Sequence, residues 1–511
     1  MASYIAVLAG AAAALLPTYW LWAYMSWYVG YRKFRRSHGC RPLRRAPQWD
    51  PFLGLDHFYR QAQAARRNKL LYYIQDWFRA VGPTFGVDLL GDYLIFTDEP
   101  QNIHAMLATK FSDFEIGAHR RNNAADLLGS GIIVSDGPAW KHGRALIRPN
   151  FTLKQLTDLR LVERHVQRLF HGFPDDGSSF DMQERIFRLT LDVGTDLLFE
   201  RSSDLLLPDA TEAAQKFAWA FDTSLEGVAT RMRMAKAGRF YHHPEYLPAC
   251  RFVHEYIEKV LDETAQLERQ RQADRKAGEE AEDSADEPYS LVKELIRGGV
   301  DRVDIRYQVL NILVALRDTS ACLMSAAVFE LARRPDVQAK LRREVNETLE
   351  DGRHPTFKDL KSMVYLSRVV RETLRMYPPI PFNGRVAVRN TVLPRGGGPD
   401  GAAPIYVQKG QQVAYAVFSM HRRADLWGSD ANEFRPERWE TARPKFEYLP
   451  FSAGPRICPG QQFATIESSY FLVRLLQEYS SIESRDEGLP WMEKLTLTAS
   501  IAQGVSVGLR R

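Results

Sequence analysis

The stretch Phe451–Gly460 reads F-S-A-G-P-R-I-C-P-G, and it decides the interpretation of this 511-residue chain. It runs into QQFATIESSYFLVRLLQEY, where apolar residues recur at helical spacing: Phe463, Ile466, Tyr470, Val473 and Leu475. Pro459 suits the first position of such a helix. Cys458 would then lie at a helix N-terminus, where backbone N–H groups and the helix dipole lower a cysteine pKa. The pattern predicts a thiolate at this position.

Two glycines and an arginine accompany the cysteine. Gly454 and Gly460 remove side chains where a planar cofactor could press on the backbone, and Arg456 supplies a cation for an acidic cofactor edge. A lone cysteine before a helix is usually a buried structural thiol. The complete pattern F-x-x-G-x-R-x-C-x-G, however, is expected by chance in a chain this long with a probability on the order of 10⁻⁴. The pattern therefore favours a cofactor-binding cysteine.

At these residues the chain resembles the cytochrome P450 family, the haem-thiolate monooxygenases, and the resemblance runs from the N-terminus to the C-terminus. It implies the cytochrome P450 fold, which is mainly α-helical with small β-sheets. It also implies haem b (iron protoporphyrin IX), with Cys458 as the metal ligand, whose thiolate favours O–O cleavage. The resemblance implies these cofactor-binding residues: Cys458, Arg456, Phe451, Gly460, Arg385 in NGRVAV, and Trp140 and Arg144 in WKHGR. Arg–carboxylate pairing is the physical reason for arginines beside haem propionates.

A second motif pair concerns support of the cofactor pocket. RETLR places Glu372 and Arg375 on one helix face at i, i+3, which by itself indicates only a surface ion pair. FRPERW adds Arg438 downstream, and the resemblance implies a Glu–Arg–Arg structural network of these three residues. His421 in SMHRR is interpreted as a structural histidine, because the resemblance puts the iron on Cys458.

The predicted long helix 302–333 carries the segment LVALRDTSA, with Asp318 and Thr319 side by side. An acid beside an alcohol can relay protons to dioxygen over the haem. The alternative is an exposed aspartate and a threonine bonded back to its own helix. The resemblance favours Asp318 and Thr319 as the catalytic pair. The family commonly has glycine where this chain has Leu316. Either the helix groove for dioxygen departs from its usual geometry, or this leucine reshapes the substrate roof and trims the pocket.

The N-terminal segment has the features of a membrane anchor. Tyr4–Trp22 contains no charge and spans about 28 Å as a helix, enough to cross a bilayer. An aromatic belt follows, and then a basic cluster: Arg32, Lys33, Arg35, Arg36, Arg41, Arg44 and Arg45. A cleaved signal peptide would carry its charges on the other side. We expect a single-pass anchor at 1–31, a basic proline-containing linker at 32–51 and a cytosolic haem domain at 52–511, in the endoplasmic reticulum membrane.

Composition narrows the remaining possibilities. The net charge of +5 is local, because without those seven residues 61 basic side chains face 63 acidic ones. Nucleic-acid binding is therefore disfavoured, and four cysteines exclude a disulfide scaffold. Strand-like runs occupy 84–97 and 384–419, and a mobile loop is expected at 269–285. Helical patterns cover 54–82, a segment after Asp98 as the expected N-cap, 153–172, 181–199, 210–236, 245–270, 302–333, 335–350 and 357–376.

The substrate class rests on a narrower resemblance. WKHGRALIRPNF, FDMQERIFRLTLD and RDTSA resemble the fungal branch of alkane and fatty-acid hydroxylases, which implies oxidation of a long alkyl chain at or near its end. The pocket segments implied are Phe114–Ile133, 216–229, Leu313–Leu316, Ile380–Phe382 and Ser500–Gln503. Two alternatives stay open: tailoring of a polyketide or terpenoid, and a haem-binding sensor without turnover. No G-x-G-x-x-G opens a strand–helix unit, so electrons are expected from a separate NADPH–cytochrome P450 reductase.

Overall fold

The computed structural model describes residues 2–148, 157–276 and 290–511. Helices dominate, as the apolar periodicities predict. The α-helices are Ala2–Ser37, Leu55–Arg66, Leu70–Val81, Pro100–His104, Ala118–Leu128, Gly137–Ile147, Arg160–His171, Met182–Phe199, Glu212–Arg233, Tyr246–Lys276, Leu291–Arg297, Arg302–Arg333, Pro335–Thr348, Phe357–Ser362, Val364–Met376, Val417–Met420, Ala424–Trp427 and Gln461–Glu478. The strands are Thr84–Leu89, Asp92–Thr97, Phe114–Glu115, Phe180–Asp181, Phe382–Ala387, Thr391–Gly397, Ala403–Val407, Gln412–Ala416, Ser481–Ser484, Glu493–Leu495, Ala499–Ile501 and Ser506–Arg510.

The largest sheet has five strands and begins with the predicted hairpin. Thr84–Leu89 pairs antiparallel with Asp92–Thr97, in a register that sets Thr84 opposite Thr97. The turn residues Leu90 and Gly91 both have positive φ, 50° and 79°, which is the backbone that a two-residue hairpin needs to match strand twist. Gln412–Ala416, Phe382–Ala387 and Phe114–Glu115 complete the sheet in that order.

Helix Arg302–Arg333, here called the core helix, is the centre of the fold. Asp301 caps it by accepting from the N–H groups of Val303 and Asp304 at 2.9 and 3.3 Å. It is long and apolar enough to cross a membrane, but 89% of its most apolar window is buried inside the protein. It packs against Met182–Phe199 and Gln461–Glu478. Such all-round apolar character is typical of a helix buried inside a large domain.

Tertiary contacts move several predicted boundaries. The helical pattern at 54–82 is interrupted at Arg67–Lys69, and the one at 357–376 is interrupted at Met363. The capping box of Thr356 and Asp359 is present. Asp98, predicted as an N-cap, is buried and instead accepts from the Ser419 hydroxyl at 2.8 Å. Glu99 caps the helix in its place.

The predicted linker is attached to the sheets rather than free. The N–H of Arg41 donates to the Pro404 carbonyl, and that of Ala46 to the Gly86 carbonyl, each at 2.9 Å. These strand-like bonds satisfy backbone groups that a free spacer would leave to water. The predicted mobile stretch 269–285 is helical as far as Lys276. Residues 277–285 of it, and 153–156 of the predicted 153–172 helix, lie outside the described residues.

Candidate active site

The stretch Phe451–Gly460, the cysteine loop, is a tight backbone turn. The N–H of Cys458 donates to the Phe451 carbonyl at 2.9 Å, and that of Ile457 to the Gly454 carbonyl at 3.0 Å. Gly454 has φ +66°, and a Cβ there would lie 1.8 Å from the carbonyl oxygen of Leu107. The expectation that Gly454 makes room for a planar cofactor is therefore wrong. Its missing side chain admits the backbone of the neighbouring π-helix Ala105–Thr109.

This close approach gives a testable consequence. Gly454→Ala forces both a left-handed backbone, worth about 1–2 kcal/mol for a residue with a Cβ, and displacement of the Leu107 backbone. We expect a lower thermal midpoint and a lower haem content after purification. Gly410→Ala is the matched control, because Gly410 has a similar φ of +84° and open space around its Cβ position. Equal losses of haem in the two variants would contradict the assignment of a packing role to Gly454.

The thiol of Cys458 experiences opposing influences. The helix begins at Gln461 with Gly460 as its N-cap, so Pro459 precedes the helix instead of opening it, contrary to expectation. Burial raises the pKa of the Cys458 thiol, while the Gly460 N–H and the Arg144 guanidinium lower it. The backbone N–H predicted from the sequence is present, but burial outweighs it, so the expected lowering of the Cys458 pKa is wrong for the protein without a metal. A coordinating metal ion removes the proton from such a thiol.

Four arginines from four different elements gather around the cysteine loop. Arg144 donates to the Ile457 carbonyl at 2.9 Å, and Arg456 donates to Asp136 Oδ1 at 2.8 Å. Burial lowers the pKa of Arg456 to about 10; the Asp136 carboxylate opposes this shift, and Arg385, Arg120 and Arg144 add to it. Arg120 and Arg385 both donate to the Asn383 side-chain oxygen. The cluster therefore carries an excess of buried positive charge.

This arginine cluster fits the acidic edge of a haem. Arg385 is buried, and its Nε has no hydrogen-bond partner within the described residues. A buried unpartnered donor is costly, and Arg–carboxylate pairing would satisfy it. Trp140 is buried beside the cluster, with its ring 4.5 Å from the Arg456 guanidinium carbon. The residues present thus suit a flat group with carboxylates at one edge and a metal over the sulfur.

The structure brings Glu372, Arg375 and Arg438 together in the interior. Arg375 holds the Glu372 carboxylate with two hydrogen bonds, at 2.8 and 2.9 Å, and Arg438 reaches it at 3.3 Å. Trp439 Nε1 donates to the same carboxylate at 3.1 Å. The side chains of Glu372 and Arg375 are fully buried, and that of Arg438 is only 4% exposed. This is a buried ion-pair network, not the surface pair that the helix spacing alone would indicate.

His421 belongs to the same interior layer. Its Nε2 accepts from the Leu449 N–H at 2.9 Å, and its Nδ1 lies 3.1 Å from the Arg375 carbonyl oxygen. Burial and the Arg375 charge lower the pKa of His421 to about 3. Both ring nitrogens are thus engaged with the backbone, which is a structural arrangement.

The core helix presents Thr319 to open space. Ala315, one turn earlier, is exposed in the middle of an otherwise buried helix, and Thr319 is half-buried. The Thr319 hydroxyl donates to the Ala315 carbonyl at 2.6 Å. Asp318 is buried, and its Oδ1 lies 3.0 Å from Nη1 of Arg317. The alcohol and the acid therefore have different partners, and burial raises the pKa of Asp318 to about 6 against the lowering effect of Arg317.

Leu316 faces away from the expected position over the pocket. A Cβ at Gly194 would lie 3.1 Å from Leu313 Cδ1 and 3.9 Å from Leu316 Cβ. Both leucines are buried in the apolar cluster between the core helix and Met182–Phe199. The expectation that Leu316 trims the pocket is therefore wrong, because the helical rotation that sets Ala315 and Thr319 toward open space turns Leu316 toward the neighbouring helix.

Two charged residues escaped the sequence interpretation. Arg120 lies in the polar segment AHRRNN, which resembles a solvated helix face, and only the fold places it beside Asn383. Arg317 could have been identified from the sequence, because it is a charged residue directly after the apolar run LNILVAL of a predicted long helix. A charge at such a position requires a partner.

Comparisons with known proteins agree with this geometry. The family model described as Cytochrome P450 matches residues 47–503. Cytochrome P450 monooxygenase FPY7 of Fusarium mangiferae is 41% identical, covering 94% of this chain and 92% of the relative. Cytochrome P450 monooxygenase himC of Aspergillus japonicus is 42% identical, with 93% and 84% covered. Cytochrome P450 52A13 of Debaryomyces hansenii is 37% identical, with 94% of each chain covered.

Proposed function

We propose that this chain, which belongs to the cytochrome P450 family, hydroxylates a long alkyl chain at or near its end, with a fatty acid or an alkane as substrate. The chain is a cytochrome P450 monooxygenase. Membership implies a haem-thiolate iron cofactor, a reductase partner and an apolar substrate. When bound, a thiolate-ligated haem supplies the activation of dioxygen for insertion of one oxygen atom into the substrate.

Cys458 is the proposed iron ligand, and haem b the proposed cofactor. The observation that carries the proposal is the coincidence of the half-buried Cys458 thiol with the four arginines gathered beside it. Arg385, Arg456 and Arg144, with Trp140, would hold the propionates. Phe451 and Gly460 fix the loop through the backbone bonds to Cys458. The buried ion-pair network of Glu372, Arg375 and Arg438 is proposed to stabilise the interior that supports the cysteine loop.

Thr319 and Asp318, on the core helix, are the proposed proton-delivering residues. The Thr319 hydroxyl lies on the face of the core helix that borders open space, and burial raises the pKa of its neighbour Asp318 to about 6. An acid whose pKa is close to the working pH can both take up and release a proton during turnover. The Thr319 hydroxyl donates to the Ala315 carbonyl, so its oxygen is left to accept a hydrogen bond at the pocket.

The substrate proposal is supported by the apolar surroundings. Segments expected to line the pocket contribute buried apolar side chains to one cluster: Leu127, Leu128, Phe217, Phe221 and Leu225. An apolar lining suits an alkyl chain. Two relatives named Cytochrome P450 52A13 and Cytochrome P450 52A5 are about as similar to this chain, by sequence identity, as the relatives from Fusarium and Aspergillus are.

A product profile tests the proposed substrate class. The full-length chain would be co-expressed with an NADPH–cytochrome P450 reductase and supplied with a saturated fatty acid, an alkane of equal length and a cyclic terpenoid. We expect terminal or near-terminal alcohols from the linear substrates. Turnover of the terpenoid alone would replace this proposal with a tailoring function, and NADPH oxidation by the purified chain without reductase would contradict the partner assignment.

The proposed location is the endoplasmic reticulum membrane, with the catalytic domain in the cytosol. Helix Ala2–Ser37 carries exposed aromatic side chains where a bilayer interface would lie, among them Trp20 and Trp22 at 69% and 66% exposure. Trp49 near the end of the linker, and Phe52 and Phe240 on the domain, add exposed apolar surface. Lys141 and Arg148 are exposed on and at the end of the helix that carries Arg144, and they are proposed to meet the acidic face of the reductase.

Removal of residues 1–31 should release most of the protein from membranes, because about 19 apolar residues then no longer enter the bilayer. We expect the CO-difference spectrum to be retained. Part of the truncated protein should stay bound through Trp49 and Phe52, and Trp49→Glu with Phe52→Glu should release that part. The measurement is the distribution between membrane pellet and supernatant. Unchanged sedimentation of the truncated, charge-substituted protein would contradict the anchor.

A further inference from the structure

An ion-pair bridge joins the core helix to Glu212–Arg233, here called the cover helix. Nη1 of Arg317 contacts the Asp222 carboxylate on the cover helix, and the same nitrogen lies 3.0 Å from Asp318 Oδ1. The side chains of Arg317 and Asp318 are 5% and 3% exposed, whereas that of Asp222 is 59% exposed. One buried cation is therefore shared between a buried carboxylate and a carboxylate in contact with solvent.

Aromatic rings fix the cation between these two carboxylates. The Arg317 guanidinium carbon lies 4.8 Å from the centre of the Phe187 ring and 5.5 Å from that of Phe221. Such contacts are strongest for desolvated cations. Phe221 and Asp222 are adjacent on the cover helix, so this helix supplies both a ring and a carboxylate. Any displacement of the cover helix would change both contacts of Arg317 together.

Arg317 and Asp222 are the charged groups that set the state of Asp318. Burial raises the pKa of Asp318; Arg317 lowers it and Asp222 raises it. One turn along the core helix, the Cys322 thiol stays neutral because burial raises its pKa to about 12. From Gln461–Glu478, Glu467 faces Ser320, and burial raises the pKa of that carboxyl to about 8, so it carries little charge.

We propose that Asp222 and Arg317 are positioning residues that make proton delivery by Asp318 depend on the cover helix. With the cover helix in place, Asp222 takes part of the Arg317 interaction and Asp318 can exchange its proton. When the cover helix moves away, Arg317 pairs with Asp318 alone and holds it as a carboxylate. The cover helix includes the expected pocket segment 216–229, so an occupied pocket would permit proton delivery. This inference rests on the proposed role of Asp318.

Opposite shifts in two variants test the bridge. In Asp222→Asn, Arg317 is left to Asp318 alone, so the carboxyl of Asp318 should titrate at lower pH, by on the order of one unit. In Arg317→Gln, the desolvated carboxyl loses its cation and should titrate at higher pH. Glu212→Gln is the control, because it removes an exposed carboxylate from the first turn of the same helix. Asp222 is itself exposed, so its variant should fold normally.

Two readouts on the haem-loaded protein separate the possible results. Infrared difference spectra, assigned with Asp318→Asn, report the Asp318 carboxyl directly. The product-to-NADPH ratio, measured against pH, reports whether the Asp318 carboxyl delivers protons during turnover. At pH 7.4 this ratio should fall up to tenfold in Asp222→Asn. Superimposable carboxyl titrations of Asp222→Asn and Glu212→Gln overturn the inference, as does a shifted titration without a change in coupling. Full coupling in Asp318→Asn would instead overturn the proposed function of Asp318.

Discussion

Thr319→Ala should leave NADPH consumption largely intact while product formation falls about 10²–10⁴-fold and peroxide accumulates. The substitution removes the one hydroxyl that the core helix holds on the Ala315 carbonyl beside open space. General acid–base assistance of a positioned side chain is worth about that factor. The apolar surroundings are unchanged, so substrate binding should persist. The measurement is the ratio of product to NADPH consumed, with peroxide determined in parallel.

The matched control for this experiment is Thr264→Ala. Thr264 makes the same type of bond, from its hydroxyl to the Val260 carbonyl at 2.8 Å, but it lies on helix Tyr246–Lys276. Its loss should change stability slightly and coupling not at all. If Thr319→Ala remains fully coupled, the proton-relay role is wrong, and chemistry that needs no proton delivery becomes the better account.

Glu372→Gln should cost about 3–5 kcal/mol of stability, the usual effect of removing one partner from a buried ion pair. Two guanidinium groups, those of Arg375 and Arg438, would remain buried around a neutral amide. We expect little haem-loaded protein at 37 °C and a markedly lower midpoint in denaturant. Haem content and unfolding of the purified protein measure this effect.

A surface pair between the helix of Glu372 and the turn Pro436–Glu440 provides the control. Arg368 contacts Glu440 at 2.6 Å, with side chains 25% and 53% exposed. Exposed pairs of this kind are worth about 0–1 kcal/mol, so Glu440→Gln should be close to the unmodified protein. Similar losses in Glu372→Gln and Glu440→Gln would mean that burial of the network does not matter.

The elements and motifs that depend on local sequence were predictable. The core helix occupies the expected residues 302–333, since its capping residue and its long, mainly apolar run both lie in the local sequence. The hairpin at 84–97 follows from alternation around a turn with positive φ. The cysteine loop likewise carries its chemistry in ten consecutive residues.

Long-range contacts explain what the sequence could not provide. Asp98 does not cap its helix because Ser419 and Arg423, more than three hundred residues later, take its carboxylate. The role of Gly454 depends on the backbone of Leu107, and the orientation of Leu316 depends on its packing near Gly194. Each of these contacts exists only after the chain has folded, so no local sequence pattern predicts it.

The CO-difference spectrum of the reduced full-length protein tests the central claim most directly. If Cys458 is the iron ligand, the unmodified protein should show the Soret band of a thiolate-ligated haem, and Cys458→His should abolish that band. Cys250→Ser and Cys322→Ser, at the two fully buried cysteines, should keep it. A thiolate band that survives in Cys458→His would contradict the account.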